Sequence, residues 1–263
     1  MSSKREREYE RRRLEKWQER QAKAKAARRR RTVIGGAVGG VVVIVVAVAI
    51  AVASSDRSPA AVPTSTPTPT TSTSAQALDL SPRTGNGGKV PDKSLAQGRT
   101  WTGTITTNRG TIGIELFGDK APQAVANFVE LAKEGYFDAT KCHRLDTSIK
   151  VLQCGDPTAT GTGGPGYSWG PIENAPANNV YPQGTLAMAR VPNDASSMGS
   201  QFFLTYADTT IEPDSVGGYT VFGKVTSGLD VLQAIADDGA VQVSGTQFTA
   251  PAHDVIIEGV KTQ

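Results

Sequence analysis

From Val33 to Ala53 the chain reads VIGGAVGGVVVIVVAVAIAVA, 21 residues without a charge, directly behind Arg28-Arg29-Arg30-Arg31 and Thr32. No other feature restricts the fold so strongly. At about 1.5 Å rise per residue, a helix over this stretch spans roughly 30 Å, the hydrocarbon thickness of a bilayer. A helix of a globular core is rarely apolar on every face for so long. The arginines satisfy the positive-inside rule. The expectation is therefore one transmembrane helix at 33–53, with the N-terminus cytoplasmic and the rest outside the cytoplasm. Ala51-Val52-Ala53 has the form of a signal-peptidase site, so secretion after cleavage near Ala53 is the alternative. Signal peptides, however, have apolar regions of about 7–15 residues behind short basic stretches, and the basic segment 1–32 is much longer. Gly35, Gly36, Gly39 and Gly40 form two small-xxx-small pairs. They would let two such helices approach closely, or they reflect the frequency of glycine in membrane spans.

Charge follows the same division. Residues 1–32 hold 14 of the 28 Lys and Arg but only five of the 25 acids, while beyond them acids outnumber bases 20 to 14. A basic run of this kind can bind nucleic acid. Beside a membrane span, attraction to the anionic inner leaflet is explanation enough, and no nucleic-acid partner is expected. Residues 54–98 include VPTSTPTPTTSTSA, rich in Pro and Thr and poor in large apolar groups. Such a stretch predicts a disordered spacer, whose threonines have the composition of O-glycosylated stalks.

Residues 99–263 read as the folded domain. Thr100–Thr107 and Thr111–Phe117 alternate as strands around a tight turn at Asn108-Arg109-Gly110. Ala121-Pro122 opens a helix whose apolar stripe is Val125, Phe128, Val129 and Ala132, with Gly135 ending it. Short strands are predicted at 150–153, 185–189, 201–205, 220–225 and 254–260, and a second helix at 229–236. Many short strands with two helices predict a mainly β fold, a closed antiparallel barrel whose ends the helices cover.

Two cysteines, Cys142 and Cys154, and two histidines, His143 and His253, are too few at useful spacing for a metal site, and neither a metal nor a cofactor is expected. One segment is unusual in residue type: Cys142-His143-Arg144-Leu145, then Val151-Leu152-Gln153-Cys154-Gly155-Asp156. A hairpin here puts Arg144 and Gln153 on neighbouring strands. By residue type alone, that pair is a fixed set of donors, a plain surface pair, or an arginine bridging to a carboxylate.

Three further strings follow: Thr185-Leu186-Ala187-Met188-Ala189-Arg190, Gly199-Ser200-Gln201-Phe202-Phe203-Leu204 and Thr220-Val221-Phe222-Gly223-Lys224-Val225. With the first segment and the opening GTIGIELFGDKAPQAVANFVELAKEGYFD, they resemble the cyclophilin family of peptidyl-prolyl cis-trans isomerases. That family carries close variants of FHR…QGGD, LxMA, GSQFF and VFGKV in this order. The resemblance covers essentially the whole region after the spacer. It implies eight antiparallel strands in a closed barrel, with a substrate groove on the outer face. It implies an enzyme that rotates X–Pro bonds of polypeptides and assists folding, without nucleophile, metal or cofactor.

Residue by residue, the resemblance makes Arg144 the catalytic arginine and Gln153 the glutamine that holds it. Phe203 becomes the floor of the proline pocket and Val151 an apolar wall. Ala189 and Arg190 fall where the backbone pairs with an extended substrate. Phe202 points into the core, since adjacent strand residues face opposite ways, and His143 takes a structural position beside the arginine. The chain also departs from the family. Lys150 stands where an aromatic precedes the Val151 position, and one extra residue separates Leu145 from Gln153. Ser215 takes an apolar position in a segment, 213–218, that lacks the usual Trp-Leu pair. Tyr219 replaces a pocket histidine, and Arg190 an asparagine. These changes imply a shallower, more polar pocket, altered substrate preference and weak or no cyclosporin binding. They leave a second reading open: a tethered module that holds Pro-containing segments with little turnover. Across the 142–145/151–154 hairpin, Cys142 and Cys154 either form a disulfide, permitted outside the cytoplasm, or remain two buried thiols.

Overall fold

The computed structural model describes residues 77–263. The basic segment 1–32, the expected span at 33–53 and the spacer up to residue 76 lie outside the described residues. Among the described residues no helix is long and apolar enough to cross a membrane.

In chain order the elements are β1 (Thr100–Thr107), β2 (Gly110–Phe117), α1 (Pro122–Lys133), β3 (Thr140–Lys141), β4 (Arg144–Asp146), β5 (Val151–Cys154) and β6 (Val180–Tyr181). Then come β7 (Thr185–Met188), β8 (Phe202–Thr205), β9 (Thr209–Thr210), β10 (Val221–Ser227), α2 (Leu229–Asp237), β11 (Ala240–Gln242), β12 (Thr249–Pro251) and β13 (Ile256–Thr262). The predicted turn forms as a two-residue loop, Asn108-Arg109, with Thr107 paired to Gly110. In α1, Pro122 sits where its missing N–H costs nothing. Gly135 stops the helix at φ 66, and the Tyr136 N–H caps the Leu131 carbonyl. All four predicted stripe residues are buried, and the Phe128 ring packs 5.2–5.3 Å from Phe137, Phe202 and Phe222.

The expected closed eight-stranded barrel is corrected by the topology. Nine strands form one antiparallel sheet in the order β3-β13-β1-β2-β10-β7-β8-β5-β4, and no ladder joins its edges, β3 and β4. The reason lies in the chain path. β3 and β4 are separated only by Cys142-His143, so they run on in the same direction. An antiparallel ladder needs a reversal, and a parallel one needs a crossover of a dozen or more residues. Instead the backbone changes partners at this point. The Cys142 N–H donates to Val255 O on the β13 side, and the His143 N–H donates to Gln153 O on β5. The open sheet curls until its edges meet at two covalently linked residues.

Register places the core. Leu145, Leu152, Leu204 and Leu186 occupy one row across β4, β5, β8 and β7, and all four are at most 1% exposed. Truncating one of them to alanine costs about 2–5 kcal/mol. The next row, Arg144–Gln153–Phe203–Ala187, turns to the opposite face.

A second correction concerns the spacer, predicted over 54–98. Residues 77–98 lie against the domain. Arg83 donates from Nη1 to Tyr136 O (2.9 Å) and Asp138 O (2.6 Å), and the Asp79 N–H reaches Ala139 O. Ala96 is fully buried, and its carbonyl accepts from the Trp101 indole at 2.9 Å. Gly85 packs so closely that a β-carbon there would stand 2.1 Å from Leu131 Cδ2.

Candidate active site

All seven residues expected in the site, Arg144, Gln153, Phe203, Val151, Ala189, Arg190 and Tyr219, line one surface cavity of about 370 Å³. Strand register brings the first three together. Arg144 stands opposite Gln153, and Gln153 opposite Phe203, on three adjacent strands about 4.8 Å apart. Phe203 and Val151 join Tyr181, Ala187 and Ile211 in a small apolar cluster separate from the main core. Phe202, one residue away, is in the main core against Phe128 and Phe137.

The arginine is held from two sides. Nη1 donates to Gln153 Oε1 at 3.1 Å, and Nη2 makes a short ion pair with Asp146 on the same strand. Both structural roles that residue type allowed, strand partner and carboxylate bridge, therefore occur at one residue. Burial alone would raise the Asp146 carboxyl. Hydrogen bonds from the Ser148 hydroxyl and N–H and the Ile149 N–H, with the Arg144 charge, outweigh it and hold the group below its usual value. Asp146 therefore stays a carboxylate at neutral pH and fixes the guanidinium.

Gln153 is fixed in turn. Its Nε2 donates to Gln201 Oε1 (2.8 Å), and Gln201 Nε2 donates to Gly163 O (2.9 Å). The Gly163 loop is tied down by Asp156, a fully buried carboxylate that accepts from the N–H groups of Thr158, Thr160, Gly161 and Gly163. Burial would raise Asp156, but hydrogen bonds led by those from Gly163 and Thr158 lower it overall. A β-carbon at Gly163 would stand 2.0 Å from Asp156 Oδ1, so no other residue fits this close approach. A relay of oriented amides thus runs from Asp156 to Arg144.

The Arg190 side chain has a structural task that the resemblance did not imply. β7 ends at Met188, and the Ala189 N–H is engaged by Gln201 O. The Arg190 side chain is 1% exposed. It holds Asp214 with two bonds (2.6 and 2.9 Å) and donates to Gly217 O and Gly218 O. Its guanidinium lies 4.8 Å from the Tyr219 ring, which in turn meets Phe203 edge-on at 5.5 Å. Arg190 is therefore a brace for the pocket wall. Ser215 is exposed and bonded to Asn193 Oδ1 at 2.7 Å.

The extra residue between Leu145 and Gln153 lies in the turn. Lys150 is an exposed residue at φ 56, outside the pocket, and Ile149 lines the cavity instead. Ile211 and Phe248 line it too. Gln201 was legible in principle, since alternation puts it on the same side as Phe203. Phe248 sits in a hairpin without periodic signal. His143 is 8% exposed, and neither ring nitrogen has a hydrogen-bond partner among the described residues. Burial first, with the Arg144 charge adding to it and the Asp156 charge opposing, pulls the His143 pKa down to about 4. The imidazole is neutral at physiological pH.

Cys142 and Cys154 are joined as a disulfide, with Cα atoms 3.9 Å apart. A second cavity of about 370 Å³ adjoins the first. It shares Gln153, Gly161, Ala189, Arg190 and Val191 and extends to Pro165 and Tyr167.

Residues 102–262 match the family described as cyclophilin type peptidyl-prolyl cis-trans isomerase/CLD. A probable peptidyl-prolyl cis-trans isomerase B of Mycobacterium leprae is 41% identical over 187 residues, 66% of this chain and 59% of that protein. The chain thus spans about three-fifths of that relative's length. A peptidyl-prolyl cis-trans isomerase of Helicobacter pylori is 42% identical over 156 residues, 59% of this chain and 90% of its own length. Among solved structures, a cyclophilin type isomerase of Cryptosporidium parvum superposes with TM-score 0.52 at 25% identity, over 63% of this chain and 98% of that one. A second structure of that protein, determined in the presence of the dipeptide Ala-Pro, gives TM-score 0.50 at 27% identity, over 60% of this chain and 96% of that one.

Proposed function

The chain belongs to the cyclophilin-type peptidyl-prolyl isomerase family, and from that premise we propose that its domain accelerates cis–trans rotation about X–Pro bonds in protein substrates. The observation that carries this reading is the outward row Arg144–Gln153–Phe203 at one cavity. Rotation is slow because resonance gives the C–N bond partial double-bond character, with a barrier of about 18–20 kcal/mol. Lowering it requires a grip on the ring and a donor that favours the twisted amide.

Phe203, Tyr219, Val151 and Ile211 supply the grip. Arg144 supplies the donor. Its guanidinium bonds the carbonyl of the bound proline, and in the twisted state it also approaches the prolyl nitrogen, whose lone pair is then released from resonance. An interaction available mainly in that state lowers the barrier. Arginine suits the task because it stays charged and presents a rigid fork. Gln153 and Asp146 leave it little reorganisation to undergo during the reaction. The testing experiment compares isomerisation of an X-Pro peptide by the full chain and by Arg144→Ala. Equal rates would defeat the catalytic assignment.

The proposal extends to location and role: a domain held outside the cytoplasm by an N-terminal membrane helix, assisting proteins that fold there. The uncharged stretch 33–53 behind four arginines supports it. So does the disulfide, which persists in oxidising compartments. Recovery of soluble protein beginning at Ser54 would replace the anchor with secretion. Weak or no cyclosporin binding belongs to the same reading, supported by the polar, exposed Ser215. A tight cyclosporin complex would contradict it.

A further inference from the structure

We propose that Phe248 selects the residue that follows the substrate proline, favouring a large apolar side chain there. This rests on the isomerase reading and adds a specificity determinant to it.

The geometry begins with sheet order. From β8 to β5 to β4 the outward row runs Phe203, Gln153, Arg144, and β4 is the edge of the sheet. Beyond that edge lies the β11–β12 hairpin, tied to it by the Thr249 hydroxyl, which donates to Leu145 O at 2.5 Å. Just before β12, across the hairpin from Val243, Phe248 is 46% exposed, and its ring stands 5.3 Å from the Arg144 guanidinium carbon. The ring also lines the cavity that holds Arg144 and Phe203. The backbone that carries this exposed phenylalanine is held within the hairpin. Gln242 Nε2 donates to Thr246 O and Phe248 O, and the Phe248 N–H reaches the Thr246 hydroxyl.

Connectivity supplies the rest. A proline ring seated on Phe203, with its own carbonyl on Arg144, sends the next residue out beyond Arg144. Phe248 is the apolar surface on that side. A large apolar side chain there buries area against the ring and helps exclude water from the guanidinium, while glycine does neither.

The test uses the full chain and two peptides that differ only in the residue after proline, Phe or Gly. Both kcat/KM and direct binding are measured for wild type, Phe248→Ala, Phe248→Leu and Gln242→Ala. The expected wild-type preference for the Phe peptide is about tenfold, the low end of what an apolar contact supplies in a half-open site. Phe248→Ala should reduce it to about twofold or less, Phe248→Leu should keep most of it, and Gln242→Ala should fall between. An unchanged ratio in Phe248→Ala would overturn the proposal, as would no wild-type preference. If wild type shows no turnover, the isomerase reading fails, and the binding ratios still decide the role of Phe248.

Discussion

Cys142 and Cys154 are bonded to each other just beyond the register pair that sets Arg144 opposite Gln153. One covalent link therefore holds the strands carrying the donor and its partner. The bridge closes a loop with a sequence separation of 12. In the chain-entropy description a loop of that size is worth about 3 kcal/mol. Urea unfolding of Cys142→Ala/Cys154→Ala, or of the reduced protein, should show a loss of that order, with isomerase activity lowered as well.

Arg144→Ala should lower kcat/KM by about 10²–10³-fold, the usual cost of removing a preorganised donor, with the fold retained. Arg144→Lys should recover little of this, because a lysine is a point charge that cannot hold Gln153, Asp146 and substrate at once. Exchange-NMR rates on an X-Pro peptide read both.

His143 makes stability depend on pH above the range in which the carboxylates titrate. Its folded pKa is about 4 against an ordinary 6.5. Between those values the unfolded chain binds the extra proton, so stability falls as pH is lowered through the window. From pH 7 to 5 the loss should be about 2 kcal/mol. Denaturation midpoints of His143→Phe at the two pH values should lie closer together than those of wild type.

Arg190→Leu removes the brace under Tyr219. The Gly218 carbonyl loses its donor, while Gly217 O keeps only the Asp214 N–H, at a cost of about 1–3 kcal/mol. The substrate effect should appear chiefly in KM, because Arg144 is untouched. The Asp214 carboxyl, held well below its usual range first by the Arg190 hydrogen bonds, should return toward the ordinary value. A side-chain NMR titration of Asp214 follows that return.

What could be read from the sequence followed from local rules. The Asn108-Arg109 turn, the α1 stripe and the opposite directions of Phe202 and Phe203 rest on spacing alone. The site row came from resemblance, since Arg and Gln nine positions apart carry no intrinsic meaning. Three features escaped for physical reasons. The absence of a β3–β4 ladder depends on chain direction at the sheet edges, which hydrophobic patterning does not encode. Residues 77–98 have a spacer-like composition, yet a few backbone-directed bonds from Arg83 and one buried Ala96 suffice to dock them. Lys150 and Ile149 exchanged places because the extra residue went into the turn, at a left-handed position.

The placement of β13 also bears on biosynthesis. This strand lies between β1 and β3, and Gln263 just after it exchanges both backbone bonds with Thr102. Synthesis delivers the chain from its N-terminus, and domains generally fold as units. Here one edge of β1 stays unpaired until β13 has been made. A protein proposed to hasten the folding of others would thus complete its own sheet late, and removal of β13 should leave it unable to do so.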